Sequence, residues 1–366
     1  MPESRRKGAG CMVTIKDIAQ KCNVSATTVS NILNGKAKAG KETRDLVMQT
    51  VKEMGYQPNY IAQGLRNSRT KTIGIIAEDI AQFTTPKIIE GIMEYCEEKG
   101  YRTIVQNLRL YARWSDQWYD KDKDYHSILD PVLQEMISFK VDGIIYIAGH
   151  ARVIHCFPKN FRIPAVMAYA YTDSEEVPSV AIDDTASAYE IVKYLLDMGH
   201  RKIGVIGGRA NNIHTQKRLL GYQKALFEAQ VLFDPELVRY GNWERDSGYR
   251  ASGELLDQGV TAFFCMADWM AGGVYDRLEE RSLTVGKDIS VVGFDDQDIA
   301  EFFRPALTTT RLPLNEIGME SIKILLEKIE TGAACKERSG KALEILVPCM
   351  MQVRKSVERL SAAQQG

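Results

Sequence analysis

The chain has 366 residues, 45% of them hydrophobic, which is enough for two or three packed domains. Its seven cysteines form no C-x-x-C pair and its five histidines no H-x-x-x-H pair, so neither a disulfide framework nor a metal site is expected. No apolar run approaches the ~20 residues of a membrane span. Residues 1–11 lack the apolar segment of a signal peptide, so we expect a cytoplasmic protein with no membrane partner.

The net charge of −1 conceals an uneven distribution. Residues 1–71 contain 13 Lys and Arg against 5 Asp and Glu, a balance of +8, whereas the remainder contains 34 against 43, a balance of −9. A basic N-terminal segment on an acidic body is typical of a nucleic-acid-binding module joined to a domain with another role. The alternative is a solvated basic tail, but these charges lie on patterned helices.

The segment VTIKDIAQKCNVSATTVSNILNG, residues 13–35, has the pattern of two short helices joined by a tight turn. Thr14 is a favourable N-cap for a first helix over Ile15–Lys21. Asn23 can close the turn because Asn tolerates a positive φ, and Ser25 can cap a second helix over Ala26–Leu33. This pattern favours a helix-turn-helix, although any small helical hairpin would share its periodicity.

The second helix leaves short side chains on its outer face, near its first turn, where a recognition helix contacts base edges. These side chains are Ala26, Thr27, Ser30 and Asn31. Asn pairs most favourably with N6 and N7 of adenine, so Asn31 predicts an adenine at one position of the DNA site, with a discrimination of ~1–3 kcal/mol.

Beyond this segment the helical pattern continues and then ends. Lys41–Met54 predicts a third helix, with Leu46 among its inward side chains and Arg44 within reach of DNA phosphates. Asn59 can cap a short helix over Tyr60–Arg66. A helix this short is marginal on its own, so this segment predicts a linker whose order depends on a partner.

From residue 72 the pattern changes to buried strands that alternate with amphipathic helices. One series begins at Thr72–Ala77 and a second at the helix Thr185–Met198. Such alternation predicts parallel sheets with right-handed crossovers. The fold class is therefore α/β, with an N-terminal helix-turn-helix headpiece and two doubly wound parallel lobes. Ligands of such folds bind beyond the carboxyl ends of the strands, here between the lobes.

These motifs resemble the LacI/GalR family of bacterial transcription regulators. In the N-terminal segment the matching stretches are TIKDIA (14–19), NVSATTVSNILNG (23–35), ETR (42–44) and GYQPN (55–59). In the remainder they include TIGIIAEDI (72–80), GHRKIGVIGG (199–208), RLLGY (218–222) and SVVGFDD (290–296). The resemblance covers nearly all of Met12–Val353 and implies an effector-binding core similar to the periplasmic sugar-binding proteins.

The resemblance implies a homodimeric regulator, most simply a repressor, whose headpiece binds the major groove of double-stranded DNA at a near-palindromic operator. It further implies that 59–71 is a hinge helix and that Leu65, beside Ala62, enters the minor groove as an apolar wedge; a plain flexible linker is the alternative. The residues predicted to contact DNA are Thr14, Ser25, Ala26, Thr27, Thr28, Ser30, Asn31, Asn34, Arg44, Tyr56, Asn59, Ala62 and Leu65.

Pattern and resemblance together give the domain boundaries. A disordered extension over 1–11 precedes the headpiece over 12–58 and the hinge over 59–71, and Met12 is an alternative start of translation. The first lobe covers 72–168 and 314–341, the second lobe covers 169–313 and 342–353, and residues 354–366 form a tail.

Three residues match family positions that contact the effector, namely Arg218 in R-x-x-G-Y, Asp295 in GFDD and Trp243 in NWERDSGY. A guanidinium suits hydroxyl pairs or a carboxylate, a carboxylate accepts hydrogen bonds from a diol, and an indole stacks on a sugar or a base. The alternatives are an ion pair within the lobe, a helix cap and ordinary packing. The residues predicted to contact the effector, most simply a sugar or a sugar derivative, are Thr84, Thr85, Tyr169, Arg218, Trp243, Asp268, Trp269 and Asp295.

Several features limit this interpretation. The family often has Asn-Asp where this chain has Ala267-Asp268, so an amide that commonly binds sugar hydroxyls is missing. GVIGG at 204–208 lacks the G-x-G-x-x-G spacing of a nucleotide site, so no cofactor is expected, and no catalytic motif is recognisable. A solute-binding protein or a sugar-modifying enzyme would share the lobes but not the basic headpiece. The aromatic stretch 108–131 is either an ordered surface insertion or a lid.

Overall fold

The computed structural model describes residues 13–33, 39–56, 69–114, 122–158, 161–172, 174–332 and 343–360. The chain divides into two compact units, 1–70 and 71–366, called here the headpiece and the core. Among the described helices, none is both long enough and apolar enough to cross a membrane.

Within its described residues the headpiece contains three helices, α1 (Ile15–Lys21), α2 (Ala26–Leu33) and α3 (Lys41–Glu53). α1 begins with a reciprocal capping box, in which Asp17 N–H donates to Thr14 Oγ1 at 3.4 Å and Thr14 N–H donates to Asp17 Oδ2 at 2.7 Å. The turn before α2 contains Asn23 at φ 51°, as its tolerance of a positive φ predicts.

A small apolar core holds these three helices together. Ile18 of α1, Val29 of α2 and Val47 of α3 are fully buried. The inward face of α3 continues through Thr50, which is one turn beyond Val47. The prediction that Leu46 points inward is wrong, since its side chain is 49% exposed. Residues 46 and 47 are about 100° apart on a helix, so only one of them can occupy the centre of the buried face.

Six strands among the described residues form the sheet of the first lobe. They are β1 (Thr72–Ala77), β2 (Arg102–Asn107), β3 (Gly143–Ile147), β4 (Ala165–Ala168), β5 (Ser179–Ile182) and β11 (Glu344–Val347). Their order is β11-β5-β4-β3-β1-β2, and every pair is parallel. β1 and β3 are buried along their whole length, as expected of inner strands covered by helices on both faces.

The second lobe has a four-stranded parallel sheet within the described residues. Its strands are β6 (Ile203–Gly207), β7 (Val238–Tyr240), β8 (Ala262–Cys265) and β9 (Ser290–Val292), in the order β7-β6-β8-β9. A separate antiparallel pair joins β10 (Thr309–Arg311) to β12 (Met350–Gln352). The two sheets confirm the predicted pair of parallel α/β lobes.

Helices cover both sheets. Those of the first lobe are α4 (Thr85–Glu98), α5 (Leu110–Trp114), α6 (Asp122–Ser138) and α12 (Leu314–Thr331). Those of the second lobe are α7 (Asp184–Asp197), α8 (Ile213–Glu228), α9 (Arg245–Asp257), α10 (Asp268–Glu280) and α11 (Ile299–Phe302), with a 3₁₀ turn at Pro235–Leu237. α4 packs on α12, α7 on α8, and α9 on α10.

The sheets correct the predicted lobe boundary. The sequence analysis assigns 179–182 and 344–347 to the second lobe, but β5 and β11 pair with each other and extend the first sheet through β4. The chain therefore leaves the first lobe after β5 and not at residue 169. The cause is that a short buried apolar run identifies a strand without identifying the strand that pairs with it.

The aromatic stretch 108–131 packs into the first lobe through several of its described residues. Leu110, Tyr125 and Leu129 are buried, and they belong to one apolar cluster with Ile76 of β1 and Tyr146 of β3. The described part is therefore an ordered, packed element. Residues 115–121, which include Trp118 and Tyr119, lie outside the described residues.

Candidate DNA-contacting face and ligand cleft

The outer face of α2 is accessible in its first turns. Ala26 and Thr27 are exposed, and Ser30 and Asn31 are partly exposed. Ser25 and Thr28 are engaged within the helix cap, since Thr28 N–H donates to Ser25 Oγ at 3.0 Å and the two hydroxyl oxygens are 2.8 Å apart. The side chains predicted from the spacing are therefore at least partly exposed on this face.

The other residues predicted to contact DNA differ in exposure, and some of them fall outside the described residues. Thr14 is exposed at the start of α1, while Arg44 of α3 is partly exposed. Tyr56 packs against the apolar core of the headpiece and is partly exposed as well. The predictions at Asn34, Asn59, Ala62 and Leu65, and with them the hinge helix, fall outside the described residues.

A cavity of about 360 Å³ lies between the lobes of the core, at the carboxyl ends of both sheets; we call it the cleft. The first lobe supplies the residues from Asp79 to Tyr169, and the second lobe supplies the remainder. Its lining is Asp79, Ala81, Gln82, Phe83, Tyr111, His150, Tyr169, Arg209, His214, Arg218, Asn242, Trp243, Glu244, Ala267, Trp269, Asp295 and Gln297.

Arg218, on α8, is the central charged residue of the cleft and is only 2% exposed. Its Nε donates to Asp184 Oδ1 at 2.7 Å, and its Nη1 donates to the carbonyl of Met266 at 2.5 Å. The guanidinium also stacks on Phe294, 3.7 Å from the ring centre. Burial alone would raise the pKa of Asp184, but its contacts with His214 and Arg218 outweigh that effect and hold the pKa below its usual range.

Asp295 follows β9 and has a strained backbone, with φ at 111°. Its Oδ1 lies 3.7 Å from Arg218 Nη1, and its Oδ2 accepts a hydrogen bond from Gln297 Nε2 at 3.3 Å. Burial raises the pKa of Asp295 to about 7, although Arg218 and Gln297 oppose the shift. The cleft therefore contains a carboxyl group that changes charge near neutral pH.

The sequence predicts that Asp268 contacts the effector. The structure instead places Asp268 beneath the cleft, outside its lining. Asp268 is fully buried at the start of α10, where Thr309 Oγ1 donates to one carboxylate oxygen at 2.6 Å and Gln297 N–H donates to the other at 2.8 Å. Gly293 makes room for it, because a Cβ there would approach Asp268 Oδ1 to 2.3 Å. Burial and the neighbouring Asp295 raise the pKa of Asp268 well above its usual range.

Aromatic rings supply much of the remaining cleft wall. Trp243 has φ at 74° and lies against Gly208, where any Cβ would meet the indole at 2.1 Å. Trp269 is 42% exposed, and its Nε1 donates to Gln297 Oε1 at 3.2 Å. Tyr169 closes the wall from the first lobe. These three rings line the cleft as predicted.

Thr84 and Thr85 do not line the cleft. Both are buried at the start of α4, and their hydroxyls have no hydrogen-bond partner among the described residues. Gln82 and Phe83 line the wall instead. The resemblance to the family predicts that Thr84 and Thr85 contact the effector. In the structure the residues before them, Gln82 and Phe83, reach the cavity.

Eleven lining residues were not predicted from the sequence. They are Asp79, Ala81, Gln82, Phe83, Tyr111, His150, Arg209, His214, Asn242, Glu244 and Gln297, with Ala267 noted beforehand only as a departure from the family. Most of them directly follow strands, so the rule that ligands bind at the carboxyl ends of strands could have found Asp79, Arg209 and Gln297. Tyr111 comes from α5, and nothing in the sequence pattern points to it.

The groups that line the cleft suit stacking and hydrogen bonding. Its buried Arg218 is paired with Asp184, its rings offer flat apolar faces, and its amides and carboxylates offer hydrogen bonds. Within the described residues, no group of three or more His, Cys, Asp or Glu side chains is arranged to hold a metal ion.

Known proteins share this arrangement over most of the chain. Catabolite control protein A of Priestia megaterium is 33% identical over 86% of this chain and 91% of its own length. The HTH-type transcriptional repressor PurR of Klebsiella pneumoniae is 33% identical over 91% of this chain and 94% of its own length. The lac repressor dimer bound to operator and the anti-inducer ONPF is similar in structure, with a TM-score of 0.76 and 25% identity over 95% of this chain and 100% of that chain.

A helix-turn-helix unit joined to a two-lobed α/β core defines a class of DNA-binding transcription regulators. The model of bacterial regulatory proteins of the lacI family matches residues 14–59, and that of the periplasmic binding protein-like domain matches residues 192–357. This chain belongs to the lacI family and is a DNA-binding transcriptional repressor.

Proposed function

We propose that the chain acts as a homodimer whose affinity for a near-palindromic operator is controlled by an uncharged sugar, or a sugar derivative, bound in the cleft. The observation that carries this proposal is the combination of lining groups. Trp243, Trp269 and Tyr169 supply flat apolar faces, while Asp295 and Gln297 supply hydrogen-bonding groups between them. A sugar ring presents the same combination, an apolar face with hydroxyls around its edge.

The charges of the cleft favour a neutral ligand over a phosphorylated one. Arg218 is neutralised by Asp184 at 2.7 Å and lies 3.7 Å from Asp295. Asp79 and Glu244 add two more carboxylates to the wall, against one further cation, Arg209. A phosphate group would have to compete with these carboxylates for Arg218, which costs binding free energy.

Gln297 supports a sugar despite the missing amide at Ala267. Its side-chain amide lies in the cleft, held between Trp269 and Asp295. An amide is therefore available beside the carboxylate, although it comes from the loop after β9 and not from the start of α10.

For the DNA side, we propose that the outer face of α2 contacts bases in the major groove and that Leu65 enters the minor groove. A ligand that prefers one arrangement of the lobes would shift the population of that arrangement and so change the spacing of the two headpieces of the dimer. Coupling of this kind requires only a difference in ligand affinity between the two arrangements.

The experiment measures thermal stability of the purified protein against neutral sugars, sugar phosphates, purine bases, nucleosides and amino acids. A ligand at about 100 times its dissociation constant stabilises the folded protein by ~2.7 kcal/mol. We expect a neutral sugar to produce this shift and to change the affinity for an operator selected from random DNA.

Two variants assign the effect to the cleft. Asp295→Ala should abolish the shift, while Asp197→Ala, at an exposed position on α7 of the same lobe, should leave it unchanged. A response limited to purines or phosphates would contradict the sugar. A sugar that binds without altering operator affinity would contradict the control of DNA binding.

A further inference from the structure

His214 is buried between the two lobes and uses both of its ring nitrogens. It lies in the first turn of α8, in the second lobe. Its Nδ1 is 2.7 Å from Asp184 Oδ2, also in the second lobe. Its Nε2 accepts a hydrogen bond at 3.3 Å from the backbone N–H of Ala151, in the loop after β3 of the first lobe. One imidazole therefore joins the lobes.

These two contacts determine which ring nitrogen of His214 carries the proton. A backbone N–H can only donate, so Nε2 of His214 must be unprotonated. Asp184 accepts from Arg218 Nε at 2.7 Å through its other oxygen, so it acts as an ionised carboxylate and accepts from Nδ1–H. His214 is therefore a neutral ring whose donor faces one lobe and whose acceptor faces the other.

The first-lobe end of this connection is firmly held. Glu78, at the end of β1, is 1% exposed, and its Oε2 accepts from Gly149 N–H at 2.7 Å and from Arg152 Nη1 at 2.9 Å. Its Oε1 accepts from the Tyr146 hydroxyl at 2.7 Å. The loop is thus fixed on both sides of Ala151, so its N–H has little freedom to move away from His214.

The second-lobe end leads into the cleft. Asp184 accepts from His214 through one oxygen and from Arg218 through the other, and Arg218 in turn lies 3.7 Å from Asp295. Polar contacts therefore run without a break from the first-lobe loop to the carboxyl group that lines the cleft. His214 is the point at which they cross between the lobes.

We propose that His214 is an interlobe latch, a positioning residue that holds the lobes in this arrangement and links it to the groups of the cleft. The latch goes beyond the proposed function, because it requires neither the ligand nor the operator. Both ring nitrogens are occupied, so His214 offers the cleft its ring and not a hydrogen bond. The Tyr169 ring, 5.2 Å away, adds an apolar contact to the same joint from the first lobe.

The test compares two substitutions in the full-length protein. The amide in His214→Gln keeps one donor and one acceptor, whereas His214→Leu keeps similar bulk but neither group. In His214→Leu we expect the Ala151 amide to exchange hydrogen about tenfold faster than in the wild type, as for the loss of one ordinary hydrogen bond. We also expect a larger radius of gyration in X-ray scattering. In His214→Gln the Ala151 amide should keep most of its wild-type protection against hydrogen exchange.

His200→Gln is the matched control. His200 is also buried in the second lobe, but it contacts Thr261 and the carbonyl of Glu358 and does not reach the first lobe through these contacts. This variant should leave exchange at Ala151 unchanged. Wild-type exchange at Ala151 in His214→Leu would overturn the latch, and so would an equal acceleration throughout the core, which indicates general destabilisation.

A measurement on the wild type covers the case in which His214→Leu does not fold. Nitrogen NMR of the imidazole of His214 should place its proton on Nδ1. A proton on Nε2 would leave no acceptor for Ala151 N–H and would overturn the latch.

Discussion

The headpiece and the cleft differ in how their functional side chains are brought together. The predicted base-contacting residues Ala26–Asn31 all lie on α2, so neighbours in the sequence are neighbours on one helix. The residues of the cleft extend from Asp79 to Gln297 and come from loops of both lobes. A local pattern is therefore sufficient to identify the first surface, whereas the second depends on long-range strand pairing.

The two regions also differ in the burial of their polar groups. In the headpiece the side chains offered to DNA are exposed or partly exposed, and the caps that fix them are local. At the cleft, Arg218 of the lining is buried as an ion pair with Asp184, which is not part of the lining. A substitution in this buried pair should therefore destabilise the core itself, while one on α2 should change binding and leave the fold intact.

The largest effect is expected for Asp184→Ala. The substitution removes the carboxylate that accepts from both His214 and Arg218, and it leaves a buried guanidinium without its main partner. We expect the free energy of unfolding of the core to fall by about 3–5 kcal/mol. Chemical denaturation, followed through the transition of the core, measures this loss.

Two comparisons sharpen this prediction. Asp197→Ala removes an exposed carboxylate from the same helix and should cost less than about 1 kcal/mol. The double variant Asp184→Ala with Arg218→Met should recover part of the loss, because no unpaired charge remains buried. A loss of below 1 kcal/mol for Asp184→Ala alone would contradict the importance of the buried pair.

The next effect concerns pH and Asp295. Its pKa is about 7 in the folded protein, against an ordinary value of 3.8, so between these values the folded chain holds a proton that the unfolded chain has lost. The free energy of unfolding should therefore fall as pH rises through this range, by at most about 4 kcal/mol. In Asp295→Asn the part of this decline that comes from Asp295 should be absent, while the part that comes from Asp268, whose pKa is also raised, should remain.

Unfolding measured from about pH 5 to pH 8 tests this expectation, since the variant should gain stability relative to the wild type as pH rises. Asp197→Asn is the control, because its exposed carboxylate should leave the pH profile unchanged. Parallel profiles for the wild type and Asp295→Asn would mean that Asp295 stays ionised throughout.

The same contrast explains how much could be predicted. The strand Thr72–Ala77 and the helix Ala26–Leu33 were predicted with their observed bounds, because apolar spacing and caps are local signals. The lobe of β11 was mispredicted, because its partner β5 is over 160 residues away. Tyr169, Arg218, Trp243, Trp269 and Asp295 reach the cleft as predicted, whereas Asp268 is drawn below it by hydrogen bonds to Thr309 and Gln297.

In the headpiece, Asn31 should have a smaller effect, which concerns base preference and not stability. Operators selected from random DNA should contain adenine at the position that Asn31 contacts, with a preference of ~1–3 kcal/mol over guanine. Asn31→Ala should lose this preference while retaining the fold, since Asn31 is partly exposed. Gln20→Ala, at an exposed position on α1, is the control. Selection of guanine at that position, unchanged in Asn31→Ala, would contradict the contact.

The smallest effect is expected at the cap of α1. Thr14→Ala removes the hydroxyl that accepts from Asp17 N–H, and caps of this type contribute ~1 kcal/mol. Hydrogen exchange of the α1 amides in the full chain should become about fivefold faster, whereas Thr14→Ser keeps the hydroxyl and should resemble the wild type. Exchange in the core should not change, because the cap is satisfied within α1. Faster exchange in the core as well would show that a local change in the headpiece also affects the core. That result would contradict the contrast between the two regions.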